Sequence, residues 1–193
     1  MGKNRGHQKK RTKNKAAAPE EIILARRIEL AHKAEIASFF IRLIVVIPVL
    51  IVIFGCIYGI TPMRNDDMKP RISAGDLMLY YRMEDNPAAQ DVIIFEKDGV
   101  QYAGRVIGKA GDKIEITKDA ALKINDSIVV EADIFYTTPL YESPVQYPMM
   151  LGENQFFVLC DYRQGAKDSR YFGVVELSEI KGKVITVIRR SGL

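Results

Sequence analysis

Histidine is almost missing from this chain of 193 residues. Its two copies, His7 and His32, both precede a long uncharged run, and residues 62–193 contain none. That absence rules out Ser-His-Asp and Cys-His hydrolysis in the C-terminal part, since both need an imidazole to carry the proton. Cysteine is as sparse. Cys56 lies in the uncharged run and Cys160 far beyond it, with no Cys-x-x-Cys pair and no Cys/His cluster. A disulfide scaffold and a structural zinc site are excluded. If the run crosses a membrane, the two thiols have no common compartment in which to pair. No internal repeat is visible, and no cofactor is called for. A basic folded domain is lacking too. Residues 1–42 carry eleven Lys and Arg against four Asp and Glu, a net +7, whereas residues 62–193 carry 17 against 20, a net −3. A nucleic-acid binder would place its positive charge on the folded part, so no nucleic-acid partner is expected.

What is present begins with Leu43–Ile60, 18 residues without a charge. As a helix they would extend about 27 Å, the thickness of a bilayer core. The run starts too late for a signal peptide and no small-x-small cleavage site follows. A transmembrane helix over 43–61 is therefore expected. Arg26, Arg27, Lys33 and Arg42 flank it on the N-terminal side, and Asp66 and Asp67 dilute the cations on the other. The excess of Lys and Arg predicts a single-pass protein of the cell membrane with a cytoplasmic N-terminus and an extracytoplasmic C-terminal domain. Residues 1–18, basic and poor in anything to bury, predict a disordered tail. Residues 19–42 read as a juxtamembrane helix, started by Pro19 with Glu20 and Glu21 at the positive end of its dipole.

Residues 62–193 change texture. Short apolar runs at Asp76–Met83, Asp91–Lys97, Val100–Lys109, Lys113–Thr117, Ala121–Asn125, Ile128–Glu131, Gln155–Tyr162 and Lys181–Arg190 alternate with turn residues. Asp98-Gly99 between two such runs is a hairpin signal. The expectation is a mainly β, barrel-like domain without a helix, with residues Ala132–Met150 as an irregular loop.

Three segments, in order, resemble the type I signal peptidases, the Ser/Lys family of membrane-bound leader peptidases. Asp67-Met68-Lys69-Pro70-Arg71-Ile72-Ser73-Ala74-Gly75-Asp76 is similar to the family's S-M-x-P-T-L-x-x-G-D. Tyr102-Ala103-Gly104-Arg105-Val106-Ile107-Gly108, with Gly111-Asp112, is similar to Y-x-K-R-V-I-G-x-P-G-D. Asp161-Tyr162-Arg163, then Asp168-Ser169-Arg170 and Gly173, resembles D-N-R-x-x-S-x-D-S-R and its following Gly. The resemblance implies a signal-peptidase-like β domain in which Gly75, Asp76, Arg105, Gly108, Gly111, Asp112, Asp161, Arg163, Asp168, Ser169, Arg170 and Gly173 are fold determinants. It also implies a groove that takes an extended polypeptide by strand addition, walled by Asp67, Met68, Lys69 and Pro70 and by Gln101, Tyr102, Ala103 and Gly104.

The departures fall on the chemistry. By the resemblance, Asp67 stands where the family has its serine nucleophile and Gly104 where it has its lysine base. Tyr162 replaces an Asn, and Ala166 replaces a supporting Ser. A carboxylate is a poor nucleophile and glycine accepts no proton, so neither half of the pair can work as the family's does. Loss of the long side chain at Gly104 predicts a roomier groove floor. A relocated pair would have to draw on Ser73, Ser127, Ser143, Ser169 or Ser178 with Lys69, Lys109 or Lys167. A carboxylate pair would need Asp67 with Asp161 or Asp168, which are read instead as partners of Arg105, Arg163 or Arg170. Cys160 is read as a buried thiol. The pattern is similar to the catalytically degenerate, SipA-type pilus assembly factors of Gram-positive bacteria. On that footing the chain is a chaperone-like factor whose partner is a secreted protein, a pilin, with a sortase alongside. The other reading, an active endopeptidase that processes secreted preproteins or pilins, stays open at this point.

Overall fold

A computed structural model describes residues 19–131 and 134–189. The basic tail over 1–18 lies outside the described residues. The chain divides into two units between Val49 and Leu50.

Helix α1 runs from Pro19 to Val52 and continues as a π-helical turn over Ile53–Ile57. Glu20 and Glu21 occupy its first turn, where the dipole favours acids. Lys33 pairs with Glu29 one turn away at 2.7 Å, and Pro48 sits within the apolar half. The helix is long and apolar enough to cross a membrane.

The expected end of this segment at Thr61 needs correction. Helical structure stops at Ile57, and Tyr58–Pro62 forms strand β1. Its five residues pair antiparallel with β2, Leu77–Tyr81. Gly59 permits this, because a Cβ there would fall 2.2 Å from the Tyr80 ring.

Among the described residues nine further strands follow. They are β3 (Val92–Lys97), β4 (Val100–Gly108), β5 (Lys113–Ile116), β6 (Leu122–Ile124), β7 (Ser127–Ile128), β8 (Met149–Met150), β9 (Gln155–Leu159), β10 (Val175–Glu176) and β11 (Ile180–Ile188). One antiparallel sheet has the order β1-β2-β11-β3-β4-β9-β10 and a smaller one the order β7-β6-β5-β8. The hairpin between β3 and β4 turns on Asp98 and Gly99, both at positive φ (51° and 73°), the geometry a two-residue hairpin loop requires. Two further differences from the sequence expectation concern helices and the loop. A four-residue helix α2, Ser169–Phe172, begins at Asp168, whose carboxylate caps it by accepting from the Arg170 N–H. The segment expected to be wholly irregular ends in β8, which pairs with β5.

Alternation divides the core between the faces of the large sheet. Ile94 and Ala103 join Met63, Met68, Ile72, Met78, Tyr80, Cys160 and Ala166 on one side. Ile93 and Phe95 join Val106, Phe156, Val158 and Val175 on the other. A third cluster around Ile107, Ile114, Leu151, Phe157 and Leu159 lies beneath the small sheet.

Candidate functional site

Strand β4 is paired with β3 from Val100 to Arg105, but with β9 only at Arg105, Val106 and Gly108. The N-terminal half of β4 therefore presents an edge with no strand partner among the described residues. Facing that edge is a cleft lined by Gln101, Tyr102 and Ala103 on one wall and Thr61–Asn65 and Asp67 on the other, with Met78 and Ile94. The two walls belong to strands far apart in the sheet order, so the sheet curls to bring them together. The Thr61 hydroxyl donates to the Gln101 side-chain carbonyl at 3.0 Å and links the walls directly.

Asp67 is held in place by its backbone. Its carbonyl accepts from the Tyr162 N–H at 2.8 Å, and the Tyr162 ring packs edge-on against Tyr136 with centroids 5.2 Å apart. The Asp67 carboxylate accepts from Asn65 Nδ2 at 2.6 Å. Partial burial pushes its pKa up; the Asn65 bond opposes this, and the charges of Asp168 and Asp66 add to it. Of the other residues expected along this wall, Met68 is fully buried, and Lys69 reaches back to Asp66 at 2.9 Å. Neither they nor Pro70 line the cleft.

Gly104 is placed differently from expectation. It is not among the residues lining the cleft, and the direction in which a side chain would leave it is filled. A Cβ there would sit 2.5 Å from Val158 Cγ1 and 3.4 Å from both Phe95 Cε1 and the Leu159 carbonyl oxygen. The missing side chain has not left a roomier floor, because Val158 takes the space. Sequence reasoning had no signal for this, since Val158 lies 54 positions away on another strand.

Behind the cleft the motif residues form paired ionic groups. Arg105 makes a bidentate contact with Asp161, at 2.7 and 2.6 Å. Arg170 does the same with Asp168, at 2.9 and 2.7 Å. The remaining contacts of the set were not legible in sequence. Arg163 pairs with Glu131, at 2.8 and 2.7 Å, and also donates to Thr138. Arg170 donates to the Arg163 carbonyl and lies over the Tyr141 ring at 4.1 Å. Ser169 Oγ accepts from the Val158 N–H. Asp76 receives the Ser73 N–H and Asp112 the Lys109 N–H, closing turns in which Gly75 and Gly111 have positive φ. The Cys160 thiol is buried, which drives its pKa well up, with Asp168 and Asp67 adding to the effect.

Among the described residues no serine hydroxyl meets a lysine amine. Ser169 and Ser143 serve backbone groups, and Lys69 is engaged by Asp66. Asp161 and Asp168 are each committed to an arginine, so no two carboxylates share a proton at Asp67.

A helix able to span a membrane, continued by a β domain with one strand-edge cleft, defines the class of this protein. The chain matches the signal peptidase family, peptidase S26, over residues 35–188, and belongs to it. It is similar to signal peptidase IB of Staphylococcus aureus (strain COL), 25% identical over 170 residues that cover 79% of this chain and 88% of the relative. It is also similar to signal peptidase I of Bacillus caldolyticus, 30% identical over 135 residues, covering 63% of this chain and 74% of the relative. A solved signal peptidase I from Enterococcus faecalis V583 is similar at 27% identity, with a TM-score of 0.45, over 52% of this chain and 97% of that one.

Proposed function

We propose that this protein is a membrane-anchored member of the signal peptidase family that binds an extended segment of a secreted protein without cleaving it. The observation that carries the reading is the pair Asp67 and Gly104, together with Val158 packed where a side chain at 104 would go. Hydrolysis by the family's route needs a nucleophilic oxygen and a neutral amine in contact, and this site offers a carboxylate and a filled void. The parts that bind are in place: an unpaired strand edge at Gln101–Ala103, which can donate and accept main-chain hydrogen bonds, and an apolar wall beside it. The partner is a pilin, and the role is chaperone-like, presenting the segment to a sortase during pilus assembly. The N-terminus lies in the cytoplasm and the β domain outside, a reading supported by the excess of Lys and Arg before the apolar run.

Deletion in the host tests the reading. Surface polymer should be lost while signal-peptide processing continues at its normal rate, and the purified full chain in detergent should leave a preprotein intact. Accumulation of unprocessed preprotein in the deletion strain, with turnover by the purified chain, would overturn it in favour of an active endopeptidase.

A further inference from the structure

The acids around the cleft differ in one respect. Asp66 has Lys69 at 2.9 Å, Asp161 has Arg105 at 2.6 Å and Asp168 has Arg170 at 2.7 Å. Asp67 has only the neutral amide of Asn65. Its carboxylate is partly withdrawn from water at the edge of a slot whose walls include Met63, Met78, Ile94 and Ala103. A carboxylate in such a place is costly without a cation and gains from one that a bound segment brings.

We infer that the cleft selects a lysine side chain in the segment it binds, with the ammonium on Asp67 at the edge of the slot. The inference rests on the proposed docking of an extended segment. Lysine is preferred to arginine because Asp67 Oδ2 is already taken by Asn65. One free oxygen suits a compact ammonium, whereas a guanidinium fork wants both oxygens of a carboxylate. Arg64 lines the same cleft. Strand addition at Gln101–Ala103 is indifferent to side chains, so this contact supplies the selectivity that the strand edge lacks.

The test measures binding of short capped fluorescent peptides to the full chain in detergent micelles, by anisotropy. The peptides differ at one position, which carries lysine, norleucine or arginine. Lysine should bind about tenfold more tightly than norleucine, the usual value of a hydrogen bond to a charged group, with arginine between them. In Asp67→Asn the ratio of lysine to norleucine affinity should fall to about one, and the fold at residue 67 is kept because the bond from Tyr162 to it is made by the backbone. Equal binding of lysine and norleucine peptides by the unaltered chain would overturn the inference and leave the docking reading standing. Absence of binding by every peptide would overturn the docking reading, and the inference with it.

Discussion

Val158 decides more about residue 104 than the glycine does. A lysine at 104 must either displace a branched side chain or bend the strand, and overpacking of this kind costs about 1–3 kcal/mol. Gly104→Lys is therefore expected to lower the unfolding midpoint of the detergent-solubilised chain, and Val158→Ala in the same chain to restore most of it. Asp67→Ser with Gly104→Lys should still fail to cleave a preprotein, because the amine cannot follow its path past Val158. Asp67 supplies a second test. Its pKa is raised above the ordinary 3.8 by burial first, so the folded chain holds this proton more firmly than the unfolded chain does. Stability then falls as pH rises from 3.8 through the folded-state value, and the ionised carboxylate is a cost at neutral pH. Asp67→Asn should raise the melting temperature at pH 7 relative to the parent, with the difference closing well below pH 3.8. An equal gain at both ends of the range would show that the charge is not the cause.

At the scale of elements, the segment around residues 134–143 is tied down by two buried arginines. Arg163 engages Glu131 and Thr138, and Arg170 engages the Pro139 carbonyl and the Tyr141 ring. Removing Asp168 leaves Arg170 buried without its carboxylate and uncaps α2. Asp168→Ala should cost about 3–5 kcal/mol, and limited proteolysis should cut first within residues 134–143. Cutting elsewhere at unchanged stability would remove the arginine pair as the anchor of this segment. Much of this architecture was legible in sequence. Asp98-Gly99 marks the β3–β4 hairpin, and Gly75-Asp76 and Gly111-Asp112 mark their turns, because each acts through its own backbone. What was not legible is non-local. Tyr58–Pro62 continues the uncharged run of the helix before it, and its pairing with Leu77–Tyr81 makes it a strand. The cleft residues Thr61–Asn65 follow from that strand and were missed with it. Glu131 shows no sign in sequence that it will meet Arg163 32 positions away.

At the scale of the whole molecule, the charge asymmetry makes a testable statement about topology. The N-terminal 42 residues carry a net +7 and residues 62–193 a net −3. Protease added to intact protoplasts should digest the β domain and spare a tag at Met1. Protection of the β domain with loss of the tag would reverse the orientation.

The join between helix and sheet has a mechanical consequence. Tyr58 follows Ile57 without a spacer, and the strand it opens ends against the cleft, where Thr61 is bonded to Gln101. No loop separates Ile57 from the strand that leads into the cleft wall. Residues 58–62 are hydrogen-bonded to β2 along their whole length, so a displacement at Tyr58 would reach Thr61 with no loop to absorb it. The rim of the cleft thereby inherits the stiffness of the β1–β2 pair, and Thr61 is a hinge-free corner between strand and cleft.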